Sequence, residues 1–219
     1  MPLTAIVLAA GEGTRMKSRH PKVVHNLLDK PIVWWTVRAA QAAGAERTIV
    51  VVGNHADEIK DALADFDVIE YVEQRERLGT GHAVRVVRDA VGGFNGPVVV
   101  INGDAPLLRP ETITALLNET RTHHNACTLL TMTPPDPTGY GRVVFSDGRV
   151  SGIVEHKDAT PEQRIHETEC NVGVYCFCGS RLTKNIDLLA HDNVQGEYYL
   201  TDMVGIYVSQ GEPVSAVHV

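Results

Sequence analysis

The sequence predicts an α/β protein in which a mostly parallel sheet is covered by helices on both faces. The first observation behind this prediction is that short apolar runs, typical of buried strands, alternate with helical stretches through the first half of the 219 residues. The second is a turn signal, Ser146-Asp147-Gly148, between two segments of alternating polarity. We therefore expect a mixed sheet that carries a small β-hairpin insertion.

The first half supplies the repeating units of strand and helix. A strand that is followed by a helix and another strand implies a parallel pair of strands. The predicted strands are Ala5–Ala10, Thr48–Val52, Val68–Val72 and Val98–Ile101. The predicted helices are Ile32–Ala43, Asp57–Ala64, Gly81–Val91 and Glu111–Thr122.

The second half changes pattern after Pro134. Its predicted hairpin pairs Gly141–Phe145 with Arg149–Val154. The later predicted elements are a helix from about Pro161, a strand near Val172–Phe177, a further helix, a helical stretch over Tyr198–Val208 and the strand-like Val214–Val219. Because no linker or repeat interrupts the chain, we expect a single domain over residues 1–219.

Composition restricts the class of protein. With 43% hydrophobic and 21% charged residues, the chain has the balance of an ordinary soluble domain. No apolar run approaches the roughly 20 residues that cross a bilayer, and the N-terminus lacks a signal-peptide pattern, so we expect a cytoplasmic protein with no membrane partner. The net charge of -7 argues against nucleic acid as a partner. The four cysteines lack metal-ligand spacing and are predicted to be free buried thiols.

The first strand opens into a glycine loop, Gly11-Glu12-Gly13, whose backbone N–H groups can face phosphate oxygens. The cations Arg15 and Lys22 follow it closely. The loop lacks the Gly-Lys-Ser/Thr of a Walker A motif, and the next strand lacks the terminal acid of a dinucleotide fingerprint. We interpret the loop as a triphosphate site, with a plain glycine turn between strand and helix as the alternative.

Two further motifs point to ligands. Asp104 comes directly after a buried strand, where α/β sheets bind ligands, and a single carboxylate suits Mg²⁺, although a turn aspartate is the alternative. Gln74 precedes the glycine-rich Leu78–Ala83, which lets a flat ring approach the backbone. Its amide can donate to and accept from a pyrimidine edge, although the segment is also consistent with a glycine-rich helix start.

Together these motifs resemble the sugar-phosphate nucleotidyltransferases, beginning with Leu8–Met16 and Pro21–Val23. Further motifs are similar to the uridylyltransferase domain of the bacterial bifunctional enzyme that makes UDP-N-acetylglucosamine, and the resemblance covers essentially the whole chain. These motifs are Gln74 with Leu78–Ala83, Gly103–Leu107, Pro137–Arg142, Gly152–Ala159 and Gln195–Asp202.

The resemblance implies a Rossmann-like nucleotidyltransferase fold, with a nucleotide-binding half at about 1–110 and a sugar-binding half at about 111–219. It implies transfer of UMP from UTP to N-acetylglucosamine 1-phosphate, which gives UDP-N-acetylglucosamine and pyrophosphate for cell-wall precursor synthesis. Mg²⁺ is the implied cofactor, and the two substrates are the implied partners. No nucleophilic side chain is needed, because a phosphate monoester with a second pKa of about 6 is mostly dianionic at neutral pH.

The resemblance also implies roles for individual residues. Arg15 and Lys22 would be the catalytic residues that hold the phosphates, and Asp104 would bind Mg²⁺. The implied substrate-binding residues are Leu8, Ala9, Ala10, Gly11, Gln74, Gly79, Thr80, Asn102 and Gly103, with Gly141, Glu155, Asn171, Tyr199 and Thr201 for the sugar.

The family places a second metal-binding asparagine in a Gly-Val-Asn-Asn segment beyond the strand that matches Val214–Val219, and a trimer-forming β-helix after that. Neither lies within the 219 residues. We therefore expect this length of chain to be monomeric with impaired turnover, and the full-length parent to be a homotrimer. The alternatives are another sugar-1-phosphate nucleotidyltransferase or, for this length of chain, a sugar-nucleotide-binding module with little turnover.

Overall fold

A mixed β-sheet forms the centre of the computed structural model, which describes residues 1–11, 13, 16 and 18–219. Over these residues the sheet has nine strands, and two short strands, β2 and β3, form a separate ribbon. The strands are β1 (Leu3–Leu8), β2 (Asn26–Leu27), β3 (Lys30–Pro31), β4 (Ala45–Val52), β5 (Glu70–Glu73), β6 (Pro97–Asn102), β7 (Cys127–Met132), β8 (Arg142–Ser146), β9 (Arg149–Val154), β10 (Cys170–Cys178) and β11 (Val214–His218). The helices are α1 (Ile32–Ala42), α2 (Ala56–Ala62), α3 (Thr80–Val91), α4 (Pro110–Thr122), α5 (Pro161–His166), α6 (Gly179–Asn185) and α7 (Asp202–Ser209).

The strand order is β11-β7-β10-β6-β1-β4-β5, and the β8–β9 hairpin pairs with β10. Strands β6, β1, β4 and β5 are parallel to one another, and β11 is parallel to β7. Strand β10 runs antiparallel between β6 and β7. The predicted mixed, mostly parallel sheet with a hairpin insertion is therefore confirmed.

The central strands are mostly apolar, as expected of strands that helices cover on both faces of the sheet. On one face, Ile6 of β1 packs with side chains of α3, α6 and α7, including Val84 and Tyr207. On the other face, Ala5 and Val7 pack with side chains of α1, α2 and α4. Alternate residues of one strand therefore serve two separate layers of the core.

Strand β7 was not predicted, and its threonines explain why. Thr128 and Thr131 are fully buried, so they interrupt the apolar run without marking a solvent-facing side. The Thr120 hydroxyl donates to Thr128 Oγ1 at 2.8 Å, which satisfies these polar groups inside the protein. A strand that buries hydrogen-bonded threonines gives neither a continuous apolar run nor a clean alternation.

Several predicted boundaries also differ by a few residues, among them those of β1 and α7. Strand β1 ends at Leu8, so Ala9 and Ala10 belong to the loop that follows. Helix α7 begins at Asp202 rather than Tyr198, because the backbone of Tyr198 pairs with the segment before α3: its N–H donates to Leu78 at 2.8 Å. The predicted helical start at Tyr198 was therefore wrong.

The exposure of the cysteines and the length and polarity of the helices can be compared with the expectations from composition. Cys127, Cys170 and Cys176 are buried free thiols, as predicted, whereas Cys178 is half-buried. In the part of the chain that the structure describes, every helix is too short or too polar to cross a bilayer.

The start of α6 allows a stability prediction. A Cβ on Gly179 would overlap the Gly96 carbonyl oxygen and lie 2.8 Å from Phe94 Cβ, so Gly179→Ala should destabilise the fold by about 3 kcal/mol. Gly205, inside α7, has open space around its Cβ position, so Gly205→Ala should stabilise the fold by about 0.5 to 1 kcal/mol. Urea denaturation of both variants measures these changes. Equal stabilities for the two variants would contradict the tight contact at Gly179.

Candidate active site

The candidate site lies at the carboxyl ends of β1, β4 and β6, where parallel strands open towards ligands. Leu8 is in register with Val51 on one side and with Asn102 on the other. The pairing continues one residue further, because Ala9 N–H donates to Val51 at 2.9 Å and Gly103 N–H donates to Leu8 at 2.9 Å. The loops after β1 and β6 therefore leave the sheet side by side.

A cleft of about 490 Å³ opens above these strand ends. Nine of the predicted site residues line it: Leu8, Ala10, Gly11, Lys22, Gln74, Gly79, Thr80, Asn102 and Asp104. Ala9 and Gly103 lie beneath the cleft, where both are buried. Arg15 lies outside the described residues.

Lys22 and Asp104 form an ion pair at the cleft wall. Lys22 Nζ donates to Asp104 Oδ2 at 2.9 Å, and about 40% of each side chain stays exposed. Lys22 belongs to a short 3-10 turn after the glycine loop, and Asp104 follows β6, so the two loops bring opposite charges together. Both groups are accessible to a ligand that enters the cleft.

The oxygen donors at this point suit Mg²⁺ but do not enclose it. Among the described residues, no three His, Cys, Asp or Glu side chains gather as a metal cluster. Mg²⁺ is commonly held by one or two carboxylates, with water and substrate phosphates as its other ligands. Asp104 therefore fits a site that needs phosphate oxygens to complete it.

The other end of the cleft is built around Gln74, whose side chain is 4% exposed. Its backbone N–H donates to Val52 at 2.8 Å, which ties it to the end of β4. Its amide nitrogen Nε2 lies 3.1 Å from the Gly79 carbonyl oxygen and 3.0 Å from His82 Nδ1. The amide is therefore held by two protein groups at the edge of the cleft.

The second half of the chain docks onto this region through its backbone. Tyr198 lies between Leu78 and Gly81: it donates to Leu78 and accepts from Gly81, both at 2.8 Å. Leu200 N–H donates to Thr80 Oγ1 at 3.0 Å. Gly79 has a φ of 103°, and a Cβ there would lie 2.6 Å from the Tyr198 carbonyl oxygen, so this close approach requires glycine.

A smaller cavity of about 90 Å³ adjoins the cleft. It shares Leu8, Thr80 and Asn102 with the cleft, so the two spaces have a common wall. Its remaining lining residues come from the second half of the chain and are Glu155, Asn171, Gly173, Tyr175 and Leu200. The structure therefore brings the two predicted sugar residues Glu155 and Asn171 next to the cleft.

The other three predicted sugar residues are Gly141, Tyr199 and Thr201. Gly141 and Thr201 form hydrogen bonds with residues that line this cavity. Gly141 accepts a hydrogen bond from the Asn171 N–H at 2.9 Å, and the Thr201 hydroxyl donates to Glu155 Oε1 at 3.2 Å. Thr201 and Tyr199 are both buried. None of these three is among the residues that line the two spaces within the described chain.

Negative charges accumulate around the smaller cavity. Burial raises the pKa of Glu155, nearby Asp202 and Asp158 raise it further, and the Thr201 hydroxyl partly offsets the rise. Burial and the neighbouring Asp158 raise the pKa of Asp202 to about 6. Burial, followed by the nearby carboxylates, raises the pKa of Tyr199 to about 12, so its hydroxyl stays protonated at neutral pH.

The sequence analysis assigned no role to three residues that shape the site in the structure. Arg142 is almost fully buried, and its Nη1 donates to the carbonyl oxygens of Pro137 and Tyr140 at 2.7 and 2.5 Å, which fixes the loop before Gly141. Gly173, with a φ of 82°, lies against the Asn102 amide at an irregularity in β10. His82 contacts Gln74. Arg142 and His82 lie inside motifs that the resemblance used, but neither carries a charge pattern that marks its role.

Comparison with known proteins agrees with this geometry. The family model of the MobA-like NTP transferase domain matches residues 5–167. The bifunctional protein GlmU of Geobacter metallireducens is 46% identical over 210 residues, which are 95% of this chain and 44% of the relative. The GlmU of Limosilactobacillus fermentum is 47% identical over 214 residues, which are 97% of this chain and 46% of the relative.

A solved structure supports the fold. UDP-glucose pyrophosphorylase complexed with UDP-glucose superimposes with a TM-score of 0.76 at 19% sequence identity, covering 98% of this chain and 90% of that one. At this low identity the likeness shows the fold alone.

This chain spans slightly less than half the length of these two GlmU proteins. The similarity to these relatives confirms the resemblance found from the motifs. Since the family model matches most of the chain, residues 5–167, the chain belongs to the MobA-like NTP transferase domain family.

Proposed function

We propose that the chain transfers UMP from UTP to N-acetylglucosamine 1-phosphate, forming UDP-N-acetylglucosamine and pyrophosphate. The observation that carries this proposal is the shared wall of Leu8, Thr80 and Asn102 between the cleft and the smaller cavity. A cation and a buried amide lie along the cleft, and a carboxylate and an amide lie in the cavity beside it. A nucleotide joined to a sugar by two phosphates presents a base, two phosphates and a sugar in that order. Each of these parts can bind to one of the protein groups: the base to the buried amide, the phosphates to the cation, and the sugar to the groups of the cavity.

In this reaction a phosphate oxygen of the sugar phosphate attacks the α-phosphorus of UTP. The new P–O bond forms as the bond between the α-phosphorus and the bridging oxygen breaks, and pyrophosphate leaves with that electron pair. The nucleophile is already ionised at neutral pH, so no side chain needs to remove a proton. The chain then contributes by holding both reactants in line and by neutralising charge.

Lys22 is the described cation best placed for this work. Its ammonium lies at the cleft wall, 2.9 Å from Asp104, so it can donate to phosphate oxygens that approach the same carboxylate. Mg²⁺ held by Asp104 and the phosphates would supply further charge neutralisation when bound. Arg15 is proposed as a second phosphate-binding cation because of its position in the glycine loop motif.

The sugar is proposed to bind in the smaller cavity. The Glu155 carboxylate accepts from Thr201 through Oε1, and a sugar hydroxyl can donate to Oε2. The Asn171 amide is held by its donation to the Tyr175 hydroxyl at 2.7 Å. A cavity lined by carboxylate and amide groups suits a neutral sugar ring with several hydroxyls. We expect the reaction to serve cell-wall precursor synthesis in the cytoplasm.

Product formation and product binding test the proposed function separately. With UTP, N-acetylglucosamine 1-phosphate and Mg²⁺, the chain should release pyrophosphate and form UDP-N-acetylglucosamine, identified by its mass. Glucose 1-phosphate should react at least about tenfold less efficiently, since it cannot form the acetamido contacts. Calorimetric binding of UDP-N-acetylglucosamine gives a readout that does not depend on turnover. The absence of both binding and product would overturn the proposal.

Lys22→Ala should slow pyrophosphate release by about 10²-fold, the scale of a lost transition-state donor. The fold should remain intact, because the Lys22 side chain is 40% exposed and its ion-pair partner is accessible to water. Lys184→Ala is the matched control, since Lys184 is an exposed residue of α6 and does not line the cleft. Normal turnover by Lys22→Ala, alongside normal turnover by the control, would remove Lys22 from the mechanism.

Asp202→Asn should stabilise the protein near pH 7.5 by roughly 1 kcal/mol, allowing for partial solvent screening. The pKa of Asp202 is raised to about 6 in the folded protein, so its ionisation at neutral pH favours unfolding. The carboxyl is largely protonated in both states only below about pH 3, so the advantage of the variant should shrink steadily as the pH falls from about 7 to about 4. Thermal unfolding from pH 4 to pH 8 measures the difference. A gain that does not vary with pH would exclude the carboxyl ionisation as its cause.

A further inference from the structure

The orientation of the Gln74 side-chain amide is determined by two acceptors. The Gly79 carbonyl oxygen, 3.1 Å from Nε2, can only accept a hydrogen bond. Nε2, and not Oε1, must therefore face it. The same nitrogen lies 3.0 Å from His82 Nδ1, so the second amide hydrogen is directed at the imidazole. Because both amide hydrogens are used by the protein, Oε1 is the atom that Gln74 offers to a ligand.

The contact also determines the state of His82. An imidazole nitrogen that receives a hydrogen bond must present a lone pair, so Nδ1 carries no proton and the ring proton is on Nε2. If the Gln74 amide rotated by 180°, Oε1 would face the Gly79 oxygen and the Nδ1 lone pair together. Two acceptor contacts thus oppose the rotated amide.

We propose that His82 is a positioning residue that holds the Gln74 amide with Oε1 towards the cleft, so that the site selects a base with a ring N–H. Uracil carries a hydrogen on N3, which can donate to Oε1, whereas N3 of cytosine is an acceptor and would be repelled. This inference rests on the proposed use of UTP and adds the source of its base selectivity. His82 itself need not contact the nucleotide.

The groups around His82 favour the neutral ring. Burial lowers its pKa, and Arg85 on the same helix lowers it further, while Glu76 and Asp89 act in the opposite direction. From the second half of the chain, the Tyr198 ring lies beside His82 with ring centroids 6.4 Å apart, and the His191 ring lies beside Tyr198 with ring centroids 5.0 Å apart. At acidic pH a proton on Nδ1 would replace the acceptor with a donor, so UTP affinity should fall as His82 becomes protonated.

A pair of variants separates the acceptor from the aromatic ring. His82→Phe keeps a ring beside Tyr198 but removes the acceptor, so UTP should bind about tenfold more weakly and the preference for UTP over CTP should shrink, consistent with loss of one hydrogen bond. His82→Asn loses the ring but places an amide oxygen near the former Nδ1 position, so both quantities should stay close to those of the unmodified chain. His191→Ala is the control for a changed contact with Tyr198 and should leave both unchanged. Calorimetry with UTP and CTP at pH 7.5 measures all three.

The outcomes distinguish this inference from the proposed function. If the unmodified chain does not prefer UTP, the proposed function and the base-reading role both fail. If it prefers UTP but His82→Phe keeps that preference, only the inference on His82 fails. Nitrogen-15 NMR of the free protein adds a test without nucleotide: a proton on Nδ1 of His82 at pH 7.5 would overturn the inference, and a proton on Nε2 alone would support it. In the His82→Asn variant the loss of UTP affinity at acidic pH should be absent, and its persistence there would also overturn the inference.

Discussion

The candidate site depends on the backbone contact between Tyr198 and the segment from Leu78 to Gly81. These hydrogen bonds join residues that are more than a hundred positions apart in the chain, and they replace a helix that local propensity would have extended to Tyr198. Gly79 and Gly81 allow the contact, because a Cβ on either would approach the Tyr198 carbonyl oxygen to within 3 Å. The same contact positions the start of α3, next to Gln74, and the chain that leads to Thr201. One short backbone pairing therefore places both ends of the site relative to each other.

The sequence predicted the part of the fold that is encoded locally. Strands such as β4 and β6 are continuous apolar runs between helices, and this pattern identifies buried parallel strands without knowledge of their neighbours. The insertion of β10 between β6 and β7 could not be predicted in this way, since strand order depends on contacts between distant segments. The threonines of β7 concealed that strand for a different reason, because Thr128 and Thr131 are buried and hydrogen-bonded to residues outside the strand. Within the site, Lys22, Gln74 and Asp104 were identifiable from motifs, whereas Arg142 and His82 act on neighbouring residues whose positions only the structure reveals.

The charged groups at the two ends of the site differ in how deeply they are buried and in how their pKa values are shifted. At the phosphate end, Lys22 and Asp104 are partly exposed, so their mutual attraction is weak enough for an incoming anion to compete for the ammonium. At the sugar end, Glu155 and Asp202 are more deeply buried, and the pKa values of both are raised, so added negative charge is unfavourable there. A ligand with phosphates at one end and a neutral sugar at the other matches this division. Under the proposed function, this division of charge favours phosphates beside Lys22 and an uncharged group beside Glu155.

The β8–β9 hairpin has consequences for protein engineering. Gly141 immediately precedes β8 and Glu155 immediately follows β9, so both of these predicted sugar-binding positions lie at the base of the hairpin, while Asp147 and Gly148 form an exposed tip. The base is anchored by the pairing of Arg142 with Cys170 of β10 and by the buried Arg142 side chain. An insertion or a fluorescent label at the tip would leave this anchor in place. The tip is therefore a suitable position for a reporter group that must leave Gly141 and Glu155 undisturbed.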